Sequence, residues 1–142
     1  MYDKAQVACE TALTYDNNFE EAYYLLGEAC KKNDRERAIS NYRKAINIDN
    51  NYQLAWQGLG RELVANIAIM DEGIEALKKA ILMDDKDGWA KIFLANALWR
   101  IGKINEADKQ YQSALKAFPE YPKFREFYNE FLKRKDRTKL TN

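Results

Sequence analysis

Two pairs of adjacent carboxylates, Glu20-Glu21 and Asp84-Asp85, are the first candidates for chemistry in this sequence. Acid–base catalysis needs its two groups to converge on one reacting atom. Neighbours at i and i+1 of a helix point to different sides, so neither pair can do this. Both fall where helices begin or loops run, and there a carboxylate complements unpaired backbone N–H groups. Histidine is absent, which removes the commonest general base and metal ligand. The two cysteines, Cys9 and Cys30, are 21 residues apart, a spacing that fits neither a metal site nor a disulfide framework. They read as small buried hydrophobes in a reducing compartment, which points to the cytoplasm. No glycine-rich phosphate loop, nucleophile elbow or metal cluster is present. A non-enzyme with no catalytic residue, no metal and no cofactor is the expectation.

The charges narrow the partners. There are 23 basic and 22 acidic residues, a net charge of +1. Such a balance gives no electrostatic footprint for nucleic acid. The one basic run, Lys133, Arg134, Lys135, Arg137 and Lys139, fits a helix C-terminus followed by a solvated tail. No apolar stretch approaches the roughly 20 residues that span a bilayer, and the opening Met1-Tyr2-Asp3-Lys4 lacks a signal-peptide layout. The expected partner is another protein or peptide, with no nucleic acid and no membrane.

Small residues recur at a fixed period. Ala5, Ala38, Gly73 and Ala107 are spaced 33, 35 and 34 residues apart, and Ala12, Ala45, Ala80 and Ala114 keep the same intervals. Asn17, Asn50, Asp85 and Pro119 follow in step. A second set, Leu26-Gly27, Leu59-Gly60 and Leu94-Ala95, falls earlier in each unit. Two antiparallel helices approach closely only where the facing residue is small, and large neighbours then interlock around it. Those neighbours are Tyr23 and Trp56 before the Leu-Gly pairs, and Tyr42, Leu77 and Tyr111 before the later alanines. A period of this length means stacked helical hairpins.

These residues resemble the tetratricopeptide repeat, whose pattern runs aromatic, Leu-Gly, Ala, aromatic, Ala, Pro. Trp56-Gln57-Gly58-Leu59-Gly60 matches its opening, and Lys103-Ile104-Asn105-Glu106-Ala107 through Tyr111, Ala114 and Pro119 matches its second half. The resemblance covers about residues 2–119. It implies an all-α, right-handed α-solenoid forming a single domain. A half repeat occupies 2–17, full repeats 18–50, 51–85 and 86–119, a capping helix 120–136 and a tail 137–142. Helices are predicted near 2–15, 19–32, 35–48, 52–66, 70–83, 88–101 and 104–117, with the cap near 121–135. Asn18 with Glu21 suggests a capping box, and Asp34, Asn51 and Asp87 suggest further N-caps. The first full unit is one residue short near Lys31-Lys32-Asn33, and the second one residue long near Asn66-Ile67-Ala68. Phe124, Phe127, Tyr128 and Phe131 form one apolar stripe. A helix bearing it would cover the last repeat and turn a polar face to water. Opening in mid-unit implies either a longer array or a partner over the N-terminal helix, whose face carries Tyr2, Val7 and Leu13. Self-association there is the expected consequence.

The resemblance also implies a groove lined by the first helix of each hairpin. Its positions are Glu21, Tyr24, Glu28, Lys31 and Lys32 in the first unit, and Leu54, Gln57, Arg61, Val64 and Ala65 in the second. In the third they are Trp89, Ile92, Asn96, Trp99 and Arg100. The sites expected to touch a partner are Trp89, Ile92, Asn96, Trp99, Arg61, Gln57, Tyr24, Glu21 and Glu28. Exposed tryptophans in a groove serve as anchors, so the third unit is expected to take an apolar side chain. Glu21 and Glu28 favour a basic one at the first. The competing account packs Trp89 and Trp99 against the capping helix. Members of the family that hold a chaperone's C-terminal carboxylate place cations and Asn where this chain has Tyr24, Glu28, Gly58, Trp89 and Phe93, so that ligand is not expected. An Asn ladder of the glycosyltransferase-associated kind is missing too, since only Asn96 could belong to it. The leading function is a protein-binding scaffold. The alternative is a structural or regulatory segment of a larger protein that assembles through its ends.

Overall fold

The computed structural model describes the backbone of residues 3–140 and side chains to residue 137. Eight α-helices follow one another: α1 Lys4–Tyr15, α2 Glu20–Cys30, α3 Arg35–Ile48, α4 Gln53–Leu63, α5 Met70–Met83, α6 Gly88–Arg100, α7 Ile104–Ala117 and α8 Pro122–Leu140. A short 3₁₀ turn, Ile67–Ile69, precedes α5, and no strand occurs among the described residues. Tyr2 lies outside the described residues, as does the side chain of Lys139.

The helices pair as hairpins α2–α3, α4–α5 and α6–α7, with α1 preceding and α8 following. The periodic alanines are why. Ala38, Ala45, Ala80, Ala107 and Ala114 are all completely buried. Tyr42 shows how tight the fit is. Its ring lies between Gly27 of α2 and Gly58 of α4, and a Cβ at either glycine would come within 2.4 and 2.7 Å of it. α2 packs on α4 and α4 on α6, while no comparable packing joins α3 to α5 or α5 to α7. The first helices therefore form the inner face of the stack. α6 is covered on almost every side: Ala90, Ile92, Leu94, Ala95, Ala97 and Leu98 are all buried.

Capping differs from expectation at two of the four predicted sites. Asp34 and Asp87 do cap, accepting the N–H groups of Arg37 at 3.0 Å and Ala90 at 2.9 Å. Asn18 and Asn51 do not. The N-cap positions are Phe19 and Tyr52, which make no side-chain bond. Asn18 and Asn51 instead donate their backbone N–H to Asp16 and Asp49, each at 2.9 Å. Asp84 accepts from Lys86 in the same way at 3.0 Å. At the exits of α1, α3 and α5 an Asp closes a local turn with the residue two ahead, and the next helix starts beyond it. α4 also stops at Leu63, short of the predicted 66, and the extra residue of that unit goes into the 3₁₀ turn, where Asn66 accepts from Ala68 N–H at 3.0 Å.

α8 covers the last hairpin with the predicted stripe. Phe124 and Phe131 are buried, and Phe127 and Tyr128 partly so. Tyr128 donates to Asp108 of α7 at 2.9 Å, and Lys135 pairs with the same carboxylate at 2.6 Å. Its other side carries Lys123, Glu126, Asn129, Glu130 and Lys133, all exposed.

Candidate functional site: the first-helix face

The same turn of each first helix contributes Glu28, Arg61 and Asn96 to the inner face. Because these helices pack on one another, side chains at equivalent positions in successive units meet. Arg61 donates to Glu28 at 2.8 Å, to the Tyr42 hydroxyl at 2.8 Å and to Glu62 at 2.9 Å. Tyr42 in turn donates to Glu28 at 2.6 Å, and Lys31 bonds Glu28 from the other side at 2.5 Å. Burial disfavours the Glu28 carboxylate, but the bonds from Lys31, Tyr42 and Arg61 outweigh it and hold its pKa down at about 2. Burial likewise opposes the Arg61 cation, and Glu28 and Glu62 overcompensate and raise its pKa further. Burial and then the Glu28 charge push Tyr24 up to about 12, so it stays a neutral phenol.

This network revises the expected attraction of Glu28 for a basic ligand, because Lys31 and Arg61 already satisfy its charge. Glu21 is exposed at the rim. Tyr24 is half-buried, its ring tilted over Tyr42 and edge-on to Tyr52 at 5.6 Å. Gln57 is a strut between units: with Gln53 it donates to Asp87, the cap of α6, at 2.8 and 2.5 Å. Asn96 accepts a hydrogen bond from the Tyr111 hydroxyl.

The third unit departs further from expectation. Ile92 is completely buried and does not line the groove, because α6 is enclosed by its neighbours. Trp89 stacks on Phe93 at 5.6 Å and meets Phe124, Tyr121 and Phe127 edge-on at 5.1, 6.0 and 6.4 Å. Trp99 meets Phe131 edge-on at 5.5 Å, with the Arg134 guanidinium over its ring. Both tryptophans are partly buried and pack against α8.

Where the ionic network meets α6, a cleft of about 420 Å³ opens, lined by Lys31, Arg35, Arg61, Glu62, Asn96 and Arg100 with the Phe93 ring. Arg35, Glu62 and Tyr42 were not expected at the site. Glu28 and Arg61 carried a legible signal, opposite charges 33 residues apart at equivalent positions. Arg35 and Glu62 carried none, since their meeting depends on how α3 sits beside α4. The cysteines are buried, and burial raises both thiol pKa values, for Cys9 together with the charge of Glu10. Among the described residues no cluster of three or more metal-ligating side chains forms, and no helix is long and apolar enough to cross a membrane.

Stacked helical hairpins whose first helices share one face define an α-solenoid. Residues 20–52 and 90–121 match the family model of the tetratricopeptide repeat. Each of these two spans carries a tetratricopeptide repeat, and the α4–α5 hairpin, with the additional residue, lies between them. Among solved structures it is similar to the crystal structure of MamA, at 26% identity and a TM-score of 0.72 over 83% of this chain and 69% of that one. A thermophilic TPR protein of Thermus thermophilus superposes at TM-score 0.74 with 23% identity, over 89% and 71% of the two chains. MamA from Desulfovibrio magneticus RS-1 reaches TM-score 0.80 at 20% identity, over 92% and 74%. No curated protein sequence matches this chain.

Proposed function

We propose that this chain is a non-catalytic scaffold that holds an extended or helical segment of another protein against the face formed by α2, α4 and α6. The observation that carries this reading is the open cleft of about 420 Å³ on that face, walled by Phe93 and by polar side chains that are already fixed by one another. A binding site works best when its polar groups are held in place before the ligand arrives. Tyr24, Arg61 and Asn96, and the exposed parts of Trp89 and Trp99, are the groups this face offers a partner. Gln57 and Glu28 act behind them by fixing Asp87 and Arg61. The positions that would hold a chaperone's terminal carboxylate are Tyr24, Glu28, Gly58, Trp89 and Phe93, with no cation among them, so the reading excludes that ligand. It involves no cofactor, nucleic acid or membrane, and a reducing compartment such as the cytoplasm suits its two buried thiols.

A second reading, assembly through the ends, is favoured by the open face of α1, where Val7 is 50% and Leu25 of α2 45% exposed. Two variants separate them in a pull-down from the source organism. Arg100→Glu in the cleft should abolish capture of specific partners, and Leu25→Glu at the end should leave capture intact. The reverse pattern would replace the groove reading with the assembly one.

A further inference from the structure

The cleft between α2, α4 and α6 has an excess of positive charge and of hydrogen-bond donors. Four cations, Lys31, Arg35, Arg61 and Arg100, face it or its edge, and the carboxylates among them are Glu28 and Glu62. Both carboxylates are saturated: Glu28 by Lys31, Tyr42 and Arg61, and Glu62 by Arg61 and Arg35. Arg100 is held at 2.7 Å by the Val64 carbonyl, a neutral partner that leaves its charge uncompensated. Arg35 reaches Glu62 only at 3.3 Å and is half exposed. Asn96 spends its carbonyl oxygen on Tyr111, so its remaining polar group is the amide nitrogen, a donor. Charge balance and donor balance are separate properties, and both ask for an acceptor with negative charge. A guanidinium presents paired N–H groups that match a carboxylate, and a concave site of one sign concentrates ligands of the other.

We infer that the segment held by this face presents acidic side chains, aspartate or glutamate, to Arg35, Arg61, Arg100 and Asn96. The inference rests on the groove reading above and reverses the expectation that the first unit attracts a basic residue. Phe93 supplies an apolar wall for the stem of the acidic side chain.

The test uses the full chain labelled with ¹⁵N and unlabelled octapeptides, acetylated and amidated, in which alanine alternates with glutamate, glutamine or lysine. The glutamate peptide should shift the arginine Nε–H signals of Arg35, Arg61 and Arg100 and the Asn96 amide. Its affinity should fall at least about tenfold between about 50 and about 300 mM salt. The double variant Arg35→Gln, Arg100→Gln should lose about another tenfold while keeping the parent's helical spectrum and melting temperature. The glutamine and lysine peptides should leave these signals in place. A glutamine peptide with a free C-terminal carboxylate should also be inactive, because the site reads side chains and not a chain end. The inference is overturned if the lysine peptide binds on this face, if the free carboxylate alone suffices, if the double variant binds normally, or if no peptide shifts these signals. Binding of the lysine peptide here would still leave the groove reading standing. Glutamate-dependent shifts confined to α1 or α8 would remove both.

Discussion

The two ends of the stack carry the same kind of helix surface and meet different fates. At the C-terminal end α8 lays Phe124 and Phe131 over α6 and α7 and turns charged residues outward. At the N-terminal end nothing among the described residues plays that part. Ala5 is exposed and Ala12 only partly covered, although their equivalents Ala38, Ala45, Ala107 and Ala114 are completely buried. A mainly apolar hollow of about 470 Å³ lies over α1 and α2, lined by Ala5, Ala8, Cys9, Leu25 and Ala29 together with Asp3 and Glu28. The ends also differ in what holds them. Rings stack between α6, α7 and α8 at the C-terminal side, whereas the N-terminal half adds to its apolar core the ion pair of Glu28 and Arg61 on the inner face. A repeat position therefore has no intrinsic burial; the next helix confers it.

Removing a ring from the closed end should have the largest effect. Phe131 is completely buried between Tyr111, Tyr128 and Trp99. Phe131→Ala should cost about 3–5 kcal/mol in chemical denaturation. Trp89→Ala, with four ring contacts but partial exposure, should cost about 2–3 kcal/mol. A Trp89 variant that unfolds at the parent's denaturant midpoint would return that residue to the role of a pure binding anchor.

The ionic side should respond to acid. The Glu28 carboxyl sits at about 2 in the fold, against 4.5 for an ordinary glutamate. A lowered acid adds stability above its unfolded value and loses it as pH falls through the folded one. Glu28→Gln should cost about 1.5–3 kcal/mol at neutral pH. The difference in melting temperature from the parent should shrink between about pH 4.5 and about pH 2. A difference that stays constant over that window would show that the pair contributes nothing through its charge. Hydrogen exchange at low pH should loosen α2–α4 before α6–α8.

The alanines give the most direct comparison of equivalent positions. Ala38→Leu and Ala80→Leu should each cost about 1–3 kcal/mol by overpacking. Ala5→Leu, at the matching place in α1, should stay within about 0.5 kcal/mol. Equal costs at Ala5 and Ala38 would mean that α1 is covered after all. The smallest effect is weak self-association through the open face. Sedimentation should show an average mass that rises with concentration, and Leu25→Glu should abolish the rise. A clean monomer at high concentration would count against it.

The fold was legible because close packing restricts residue type: alanine or glycine at the contacts and an aromatic beside it survive in the sequence as a period. The cap was legible for the same reason, through the spacing of Phe124 and Phe131. Helix starts were harder. Asn18 looked like a cap, but Asp16 took its backbone N–H, and two local bonds of similar strength compete without a sequence signature. The site was read least well. Assigning groove positions from a repeat register treats each first helix as if its neighbours were average. Ile92 was lost to the core and Glu28 to Arg61 because those neighbours were particular, and Arg100 gained its place beside Val64 through contacts between units.

Among the described residues the main contacts of each helix are with the one or two that follow it in the chain. Contacts so local in sequence require little loop closure, and chains of this kind fold quickly, growing outward from wherever a first pair of hairpins settles. The process runs backward in the same stepwise manner. Unravelling starts at whichever terminus is least anchored and advances by one hairpin at a time. A ligand lying across α2, α4 and α6 bridges units that otherwise communicate only through their neighbours. It would act as a splint, converting a chain that frays gradually into one that lets go all at once.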